Sequence, residues 1–377
     1  MLLGAAWLAA TAGRKAVRGA AIPGGDLVSL ARSALPAMAK ALAPHDELAG
    51  RGAAALRSTP AALGAAGDAA GSAVSASASR ARDLAVPPAS GVLGTLHAGP
   101  AIDNEVAVRA ARRLNRAAGT LAASVLFDSA IEHYRGSFEN KAMFTPIVTA
   151  SLSVLASVHG MGDRRFGAHV ARDAVYAIAG VTGIIGTGFH IYNVGKQPGG
   201  FIFQNLFYSA PLGAPAALSL SGLMGFLSER VRNNTPGRLP RILGLSAGRV
   251  VAMLTGAGLL GTMGEAGLLH FRGAYHNPFM FVPVTVPPVG AALLVGTALG
   301  RSRTPRKLTH WWLRLTTLMG FAGVGFHAYG VSRNMGGWRN WSQNVLNGPP
   351  LPAPPSFTGL ALAGLAALGL LEDHPDD

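Results

Sequence analysis

An internal duplication constrains this fold more than any other feature of the sequence. The segment 133–146 is written again as 270–283, and both copies keep a His, an Arg-Gly pair, an Asn, a Met-Phe pair and a Pro in register. The segments 188–192 and 325–329 both read Gly-Phe-His-X-Tyr and lie at the same offset of 137 residues. Each half of the repeated region is therefore expected to form one structural unit of the same topology.

The composition indicates helices that lie in lipid. Hydrophobic residues make up 49% of the chain, charged residues only 13%, and there are 50 glycines, a profile unlike that of a soluble protein surface. The chain has no cysteine, which excludes disulfides, thiolate metal sites, iron–sulfur clusters and covalently attached haem. A metal or haem would have to be held by His, carboxylate, Met or amide groups.

Eight hydrophobic stretches follow residue 116, each close to the roughly 20 residues that a bilayer requires. We predict spans at about 117–134, 142–161, 173–193, 202–227, 247–270, 279–299, 311–330 and 356–371. Because each half holds an even number of spans, both halves enter the membrane from the same side. The prediction is an all-α integral membrane protein with two parallel, tandem four-helix repeats.

Three regions follow from this pattern. Residues 1–110 form an arm rich in Ala, Gly and Ser, which is expected to be weakly ordered on the cytoplasmic side or on the membrane surface. Residues 111–240 contain the first four-helix repeat. Residues 241–377 contain the second repeat and a short acidic tail.

The distribution of basic residues predicts the orientation. The flank before the first span and the even-numbered connections carry fifteen Arg and Lys residues, and the odd-numbered connections carry six. By the positive-inside rule both termini are cytoplasmic, in what we expect to be a bacterial inner membrane. The net charge of +14 is spread among apolar spans without a basic run, so membrane lipids are the expected counter-charge and nucleic acid is not.

Four histidines form the main candidate site. His133, His190, His270 and His327 are predicted at the outer ends of the first and third spans of each repeat. One interpretation is that each pair binds the iron of a b-type haem. Another is a quinone or substrate pocket, in which His donates to a carbonyl and Arg135 or Arg272 holds a negative oxygen. The structural alternative is that the histidines bond loop carbonyls while the arginines reach lipid phosphates.

Two acids occupy matching positions inside the predicted spans. Asp128 and Glu265 differ by the repeat offset of 137 residues, at a depth where an ionisable group is costly and usually functional. On a regular helix neither acid faces the same way as the His five residues later. We expect each acid to meet a residue on a neighbouring helix, such as the His of the third span, or to relay a proton.

Polar residues in the connections also recur. Asn140 and Asn277 resemble N-caps, and the glycines after Arg135 and Arg272 resemble left-handed helix ends. Two amide pairs open the fourth spans. These four residues are Gln204, Asn205, Gln343 and Asn344. All six Asn and Gln residues are candidates for substrate or partner binding, although packing between helices explains an amide pair equally well.

The architecture over about residues 115–372 is similar to that of membrane anchor subunits of respiratory dehydrogenases, some of which carry b-type haem and some only a quinone site. That likeness implies electron transfer in a respiratory chain, from an exoplasmic (periplasmic) redox partner to quinone. If the chain belongs to an enzyme, it would be a membrane subunit of a quinone-linked oxidoreductase. A transporter with a duplicated core and a non-catalytic scaffold or assembly protein are the alternatives.

Overall fold

A computed structural model describes residues 104–208, 211–234, 238–300 and 306–372. This part of the chain is mostly helical, and its strands are one hairpin of two-residue strands. The predicted N-terminal arm lies outside the described residues, apart from its last seven residues. Those residues belong to the first helix, which begins at Asn104.

The first half of the described chain contains five α-helices. Their bounds are α1 Asn104–Arg135, α2 Thr145–Gly162, α3 Val170–Gly195, α4 Phe203–Tyr208 and α5 Gly213–Arg232. A 3-10 turn at Lys141–Phe144 leads into α2. Pro146 lies in the first turn of α2, where the missing amide hydrogen is not needed.

The second half has the same order of elements after the hairpin. The hairpin strands are β1 Arg241–Ile242 and β2 Leu245–Ser246, and the helices are α6 Ala247–Arg272, α7 Val282–Ala298, α8 Arg306–Arg333, α9 Trp341–Asn347 and α10 Pro355–Glu372. Pro278–Phe281 is the 3-10 turn that leads into α7. Gly337–Asn340 is a further 3-10 turn before α9.

Four helical segments of the described residues are long and apolar enough to cross a membrane. They are Lys141–Gly162, Val170–Gly195, Ala247–Arg272 and Pro278–Ala298. The last helix is also apolar over Pro355–Leu371 but is shorter. Length and composition thus agree with an all-α membrane protein.

Helix packing places the first and third long helices of each half on opposite sides of a bundle. In the first half, α2 and α5 both pack against α1 and also against α3. In the second half, α7 and α10 both pack against α6 and also against α8. The two halves meet where α10 packs on α1 and α5 contacts α6.

Glycines set the closest helix contacts. A Cβ on Gly183 of α3 would lie 2.4 Å from the Ser219 amide nitrogen of α5. A Cβ on Gly320 of α8 would lie 2.2 Å from Thr358 Oγ1 of α10. These positions correspond between the halves, so small residues bring the third and fourth long helices together in both.

One predicted span differs from the structure. The stretch 202–227 is divided into α4 and α5, and Asn205 lies in the short helix instead of opening the long one. The Asn205 side chain donates to the carbonyls of Pro198 and Gly200, which folds the connection back on itself. Hydropathy does not register this break, because both pieces are apolar.

Candidate functional site

The four candidate histidines lie at one end of the helix bundle. His133 and His270 are in the last turns of α1 and α6. The two halves also touch at this end, because Glu265 of α6 accepts a hydrogen bond from the Gly213 amide at the start of α5, with an N–O distance of 2.8 Å. The histidines therefore share one face of the molecule.

Each of these histidines uses Nδ1 to bond a backbone carbonyl. His133 bonds the Met143 oxygen at 2.6 Å, and His270 bonds the Met280 oxygen at 3.0 Å. The histidines of the third long helices bond the carbonyls of prolines that precede the fourth long helices. His190 bonds the Pro211 oxygen at 2.5 Å, and His327 bonds the Pro350 oxygen at 2.7 Å.

These bonds determine the tautomer. A carbonyl oxygen only accepts, so Nδ1 must carry the hydrogen in all four rings. Nε2 of a neutral ring then keeps its lone pair. A backbone carbonyl on the other ring nitrogen is the usual support of a metal-binding histidine, because it fixes both the tautomer and the ring orientation.

The two rings of the second half lie close together. The centres of the His270 and His327 rings are 6.4 Å apart and their planes cross at 78°. In the first half, His133 and His190 are near enough to interact electrostatically. In the second half, diagonally placed helices thus bring two imidazoles to one place.

The surroundings of the first His in each pair also correspond. The ring centres of His133 and Phe138 are 6.3 Å apart at 77°, and those of His270 and Tyr275 are separated by the same distance and angle. Phe138 stacks on Phe144 as Tyr275 stacks on Phe281. The connection after the histidine is therefore built the same way twice.

The prediction of a left-handed glycine in this connection is wrong. In this connection the residues with positive φ are Ser137 and Phe138 in the first half and Ala274 and Tyr275 in the second. Neither Gly136 nor Gly273 is among them. These glycines instead leave space for a methionine side chain. A Cβ on Gly136 would lie 3.1 Å from Met143 Cε, and one on Gly273 would lie 2.9 Å from Met280 Cε.

The arginines after the histidines have different partners in the two halves. Arg135 pairs with Glu132 on the same helix at 2.8 Å. The Arg272 guanidinium lies over the rings of Phe207 and Tyr208, at 5.6 and 5.4 Å from their centres. Arg272 therefore joins α6 to the short helix α4 of the other half.

Both candidate acids are partly buried. Glu265 and Glu132 are the two charged neighbours that act on the Asp128 carboxyl. Glu265 is held by the Gly213 amide. The expected partner from a neighbouring helix thus exists for Glu265, but it is a helix N-terminus and not a histidine.

The amide side chains mostly organise the connections. Asn140 caps the 3-10 turn by accepting from the Ala142 amide, and Asn277 does the same with Phe279, so both predicted N-caps are confirmed. Asn344 donates to the carbonyls of Met335 and Gly337, as Asn205 does in its own loop. Gln204 and Gln343 are exposed.

Two shallow, exposed grooves lie on the third long helices of the two halves, and neither is lined by a histidine. One of about 350 Å³ is lined by Ile185, Gly188, Phe189 and Tyr192, and the other, of about 270 Å³, is lined by the residues 137 positions later. A Cβ on Gly188 would meet no atom within 4 Å, and the same is true at Gly325. These two glycines therefore leave open space that the packed glycines of the same helices do not.

Sequence reasoning missed a buried ionic cluster at the opposite end of the first half. Arg172 of α3 binds Glu229 of α5 through two nitrogens, at 2.8 and 2.9 Å, and binds Asp163 at 2.9 Å. Arg232 donates to three carbonyls of the α2–α3 region. The side chains of Arg172, Glu229 and Arg232 are fully buried. In the sequence, the cluster is visible only as the opposite charges of Arg172 and Glu229, each of which lies in an apolar stretch.

The second half has no such cluster at the corresponding positions. Thr309 stands in place of Arg172, Leu368 in place of Glu229 and Leu371 in place of Arg232. All three replacements are buried. The two halves therefore resemble each other at the histidine end and differ at the other.

Asp163 is the member of this cluster that lies in a connection. Burial by itself would raise the pKa of its carboxyl. The hydrogen bonds from the Arg165 amide and the Arg172 guanidinium, together with the charges of Arg172 and Arg232, outweigh that effect and lower the pKa below its ordinary value.

Comparison of the chain with protein-family models, with curated proteins and with solved structures finds no match.

Proposed function

We propose that this protein is a membrane electron-transfer subunit with one bis-histidine haem b site in each half, which passes electrons between an exoplasmic redox partner and quinone. The two halves would be the predicted tandem four-helix repeats, eight spans in all, with both termini cytoplasmic in a bacterial inner membrane. The observation that carries the proposal is the paired histidine geometry. All four rings present Nε2 as the free nitrogen, and in the second half two of them approach closely.

The spacing of the second pair fits two ligands on one iron. With metal–nitrogen bonds of about 2.0–2.1 Å and ring centres about 1.1 Å beyond the nitrogens, collinear imidazoles have centres about 6.3 Å apart. The distance between the His270 and His327 ring centres is 6.4 Å. Two protein ligands suit haem, because its macrocycle supplies the other four nitrogens, whereas a structural zinc ion takes four protein ligands.

The protein's own groups would hold the cofactor and tune it. His133 with His190, and His270 with His327, would hold the iron, and the carbonyls on their Nδ1 atoms would fix the rings and raise the basicity of Nε2. A haem held in this way supplies one-electron transfer when bound. Stacked aromatic residues lie beside the first His of each pair.

Two further observations support quinone as the electron acceptor or donor. Both histidine pairs lie at one face, within reach of a partner docked there. The exposed grooves at Gly188 and Gly325 lie on the same helices as His190 and His327, on surfaces that a lipid-soluble quinone would reach from the bilayer. Arg135 and Arg272 engage Glu132 and aromatic rings, so any contact with a quinone oxygen would require them to move.

The test is an absorption spectrum of the full-length protein, purified in detergent from a haem-replete host and recorded before and after reduction with dithionite. Wild type is expected to show a sharp reduced α-band. His190→Ala or His327→Ala should remove about half of it, and the double variant should remove all of it. His276→Ala is the matched control, because His276 is exposed at the same end and also bonds a carbonyl through Nδ1. A colourless wild type, or a band that survives the double variant, would refute the proposal.

A transporter is the second candidate, and the two acids at corresponding positions of the repeats, Asp128 and Glu265, favour it. Paired acids at a repeat interface are suited to proton-coupled transport. Proton-dependent substrate flux into vesicles, lost in Asp128→Asn but not in His327→Ala, would support transport over electron transfer. If neither variant changes the activity of a partner protein or any flux, the scaffold alternative applies.

A further inference from the structure

Each third long helix ends in a cation that lies over a tyrosine ring. Lys196 Nζ is 5.2 Å from the centre of the Tyr192 ring, and the Arg333 guanidinium carbon is 5.9 Å from the centre of the Tyr329 ring. The second pair lies 137 positions after the first, so the repeat contains this contact twice. Lysine and arginine differ in shape and hydrogen bonding but share a positive charge. The property that both halves keep is therefore the charge.

The same tyrosines line the two exposed grooves. The four residues that line the first groove run from Ile185 to Tyr192 at spacings of three and four, which places them on one face of α3. Lys196 extends this face by one turn, because its amide donates to the Tyr192 carbonyl at 3.0 Å as in a helix. The groove and the cation thus form one stripe, which is apolar along most of its length and positive at its end. The second half has the same stripe, from Ala322 to Arg333.

The length of the stripe matches one leaflet of a bilayer. A helix rises about 1.5 Å per residue, so the distance from Ile185 to Lys196, or from Ala322 to Arg333, is about 16 Å. The hydrocarbon core of a bilayer is about 30 Å thick, which leaves about 15 Å for each leaflet. The helix α3 is one of those long and apolar enough to cross a membrane. A lipid chain that lies along the groove would therefore bring its phosphate to the level of the cation.

The charges of Lys196 and Arg333 call for a counter-charge from outside the described protein. Both side chains are exposed, and no carboxylate of the described residues forms an ion pair with either of them. Arg135, at the same end of the bundle, does have such a partner in Glu132. Long cationic side chains near the ends of membrane helices reach lipid phosphates, so a phosphate is the counter-charge that fits both cations.

We propose that each groove binds a chain of an anionic phospholipid from the leaflet at the histidine end, with the phosphate at Lys196 in the first half and at Arg333 in the second. Glycine opens the groove, because a Cβ on Gly188 or Gly325 would meet no atom within 4 Å. The inference goes beyond the proposed function and does not require haem. A quinone that enters the same groove would have to displace the lipid chain.

Native mass spectrometry of the full-length protein in detergent tests the two sites. The probes are a phosphatidylglycerol and a phosphatidylcholine with the same acyl chains, each titrated separately. Wild type is expected to bind two molecules of phosphatidylglycerol and to bind phosphatidylcholine more weakly. Lys196→Gln and Arg333→Gln should each weaken one phosphatidylglycerol site by about fivefold, which is the effect of one basic residue beside anionic lipid.

Three variants separate the charge from the groove. Lys141→Gln is the matched control, because it removes an exposed positive charge at the same end but outside the grooves, and it should leave both sites unchanged. Lys196→Arg should keep its site, since the second half uses arginine there. Gly188→Val together with Gly325→Val fills both grooves and should remove both sites for both lipids.

Three results would overturn the inference. They are equal affinity of wild type for the two lipids, a loss of affinity in Lys141→Gln as large as that in Lys196→Gln, and two retained lipids in the double valine variant. All of these substitutions are at exposed positions, and thermal unfolding checks that each variant is folded. A colourless protein that binds two phosphatidylglycerol molecules in the expected way would refute the haem proposal and leave the lipid sites intact.

Discussion

Replacing Glu229 with leucine should destabilise the first half strongly, although the second half carries leucine at that position. In the native protein Glu229 receives two hydrogen bonds from Arg172, and all of its side chain is buried. Removing one partner of a buried ion pair costs about 3–5 kcal/mol, because the other charge is left without compensation. Thermal midpoints move by about 2–4 °C per kcal/mol in chains of 150–250 residues, so a decrease of about 6–20 °C is expected.

The assay is thermal unfolding of the detergent-purified protein, followed by intrinsic fluorescence. Glu132→Gln is the matched control, because it breaks an exposed pair with Arg135 and should cost less than about 1 kcal/mol. Converting the cluster to the residues of the second half, with Arg172→Thr, Glu229→Leu and Arg232→Leu together, should recover most of the stability, since well-packed apolar replacements of buried ion pairs are often neutral or stabilising. A midpoint for Glu229→Leu within about 2 °C of the control would refute the reasoning.

Three further outcomes are expected. Gly183→Val should destabilise the protein by about 1–3 kcal/mol through overpacking against α5, whereas Gly188→Val, which meets open space, should not; thermal unfolding compares the two. The folded-state pKa of Asp163 is lowered, so its contribution to stability is present above the unfolded pKa of about 3.9 and is lost as pH falls through the lower folded value. Midpoints measured from pH 6 down to about 2 should fall for wild type and fall less for Asp163→Asn. Asn140→Ala should remove the cap of the turn before α2 at a cost of about 0.5–2 kcal/mol, which the same unfolding assay measures.

The sequence repeat predicted the location of the candidate site better than its details. The offset of 137 residues placed the histidines at helix ends, and the structure brings His270 and His327 together there. The caps at Asn140 and Asn277 also followed from local chemistry. The bonds from Nδ1 to the carbonyls of Pro211 and Pro350 could not be predicted, because they join residues 21 and 23 positions apart across a connection whose path depends on tertiary packing.

Errors arose where one residue type serves two structural purposes. Glycine after a C-terminal arginine usually indicates a left-handed helix end, but here Gly136 and Gly273 give space to a methionine while the next two residues take the positive φ. The break before α5 was missed because hydropathy averages over it. The partner of Glu265 was missed because a backbone amide at a helix start has no signature in side-chain chemistry.

Comparison of the two halves separates what packing requires from what the site requires. Both halves must fold as similar bundles, yet at one end Arg172, Glu229 and Arg232 have the buried counterparts Thr309, Leu368 and Leu371. That end accepts either ionic or apolar packing. At the histidine end both halves keep the same two imidazoles and the same carbonyl bonds.

The two halves also contact each other at the histidine end. Gly213 of the first half holds Glu265 of the second, and the short helix α4 of the first half lies against Arg272 of the second. The surroundings of Glu265 and Arg272 in the second half are therefore completed by residues of the first half. A role that needed one site would have allowed the other to diverge, as the ionic cluster did.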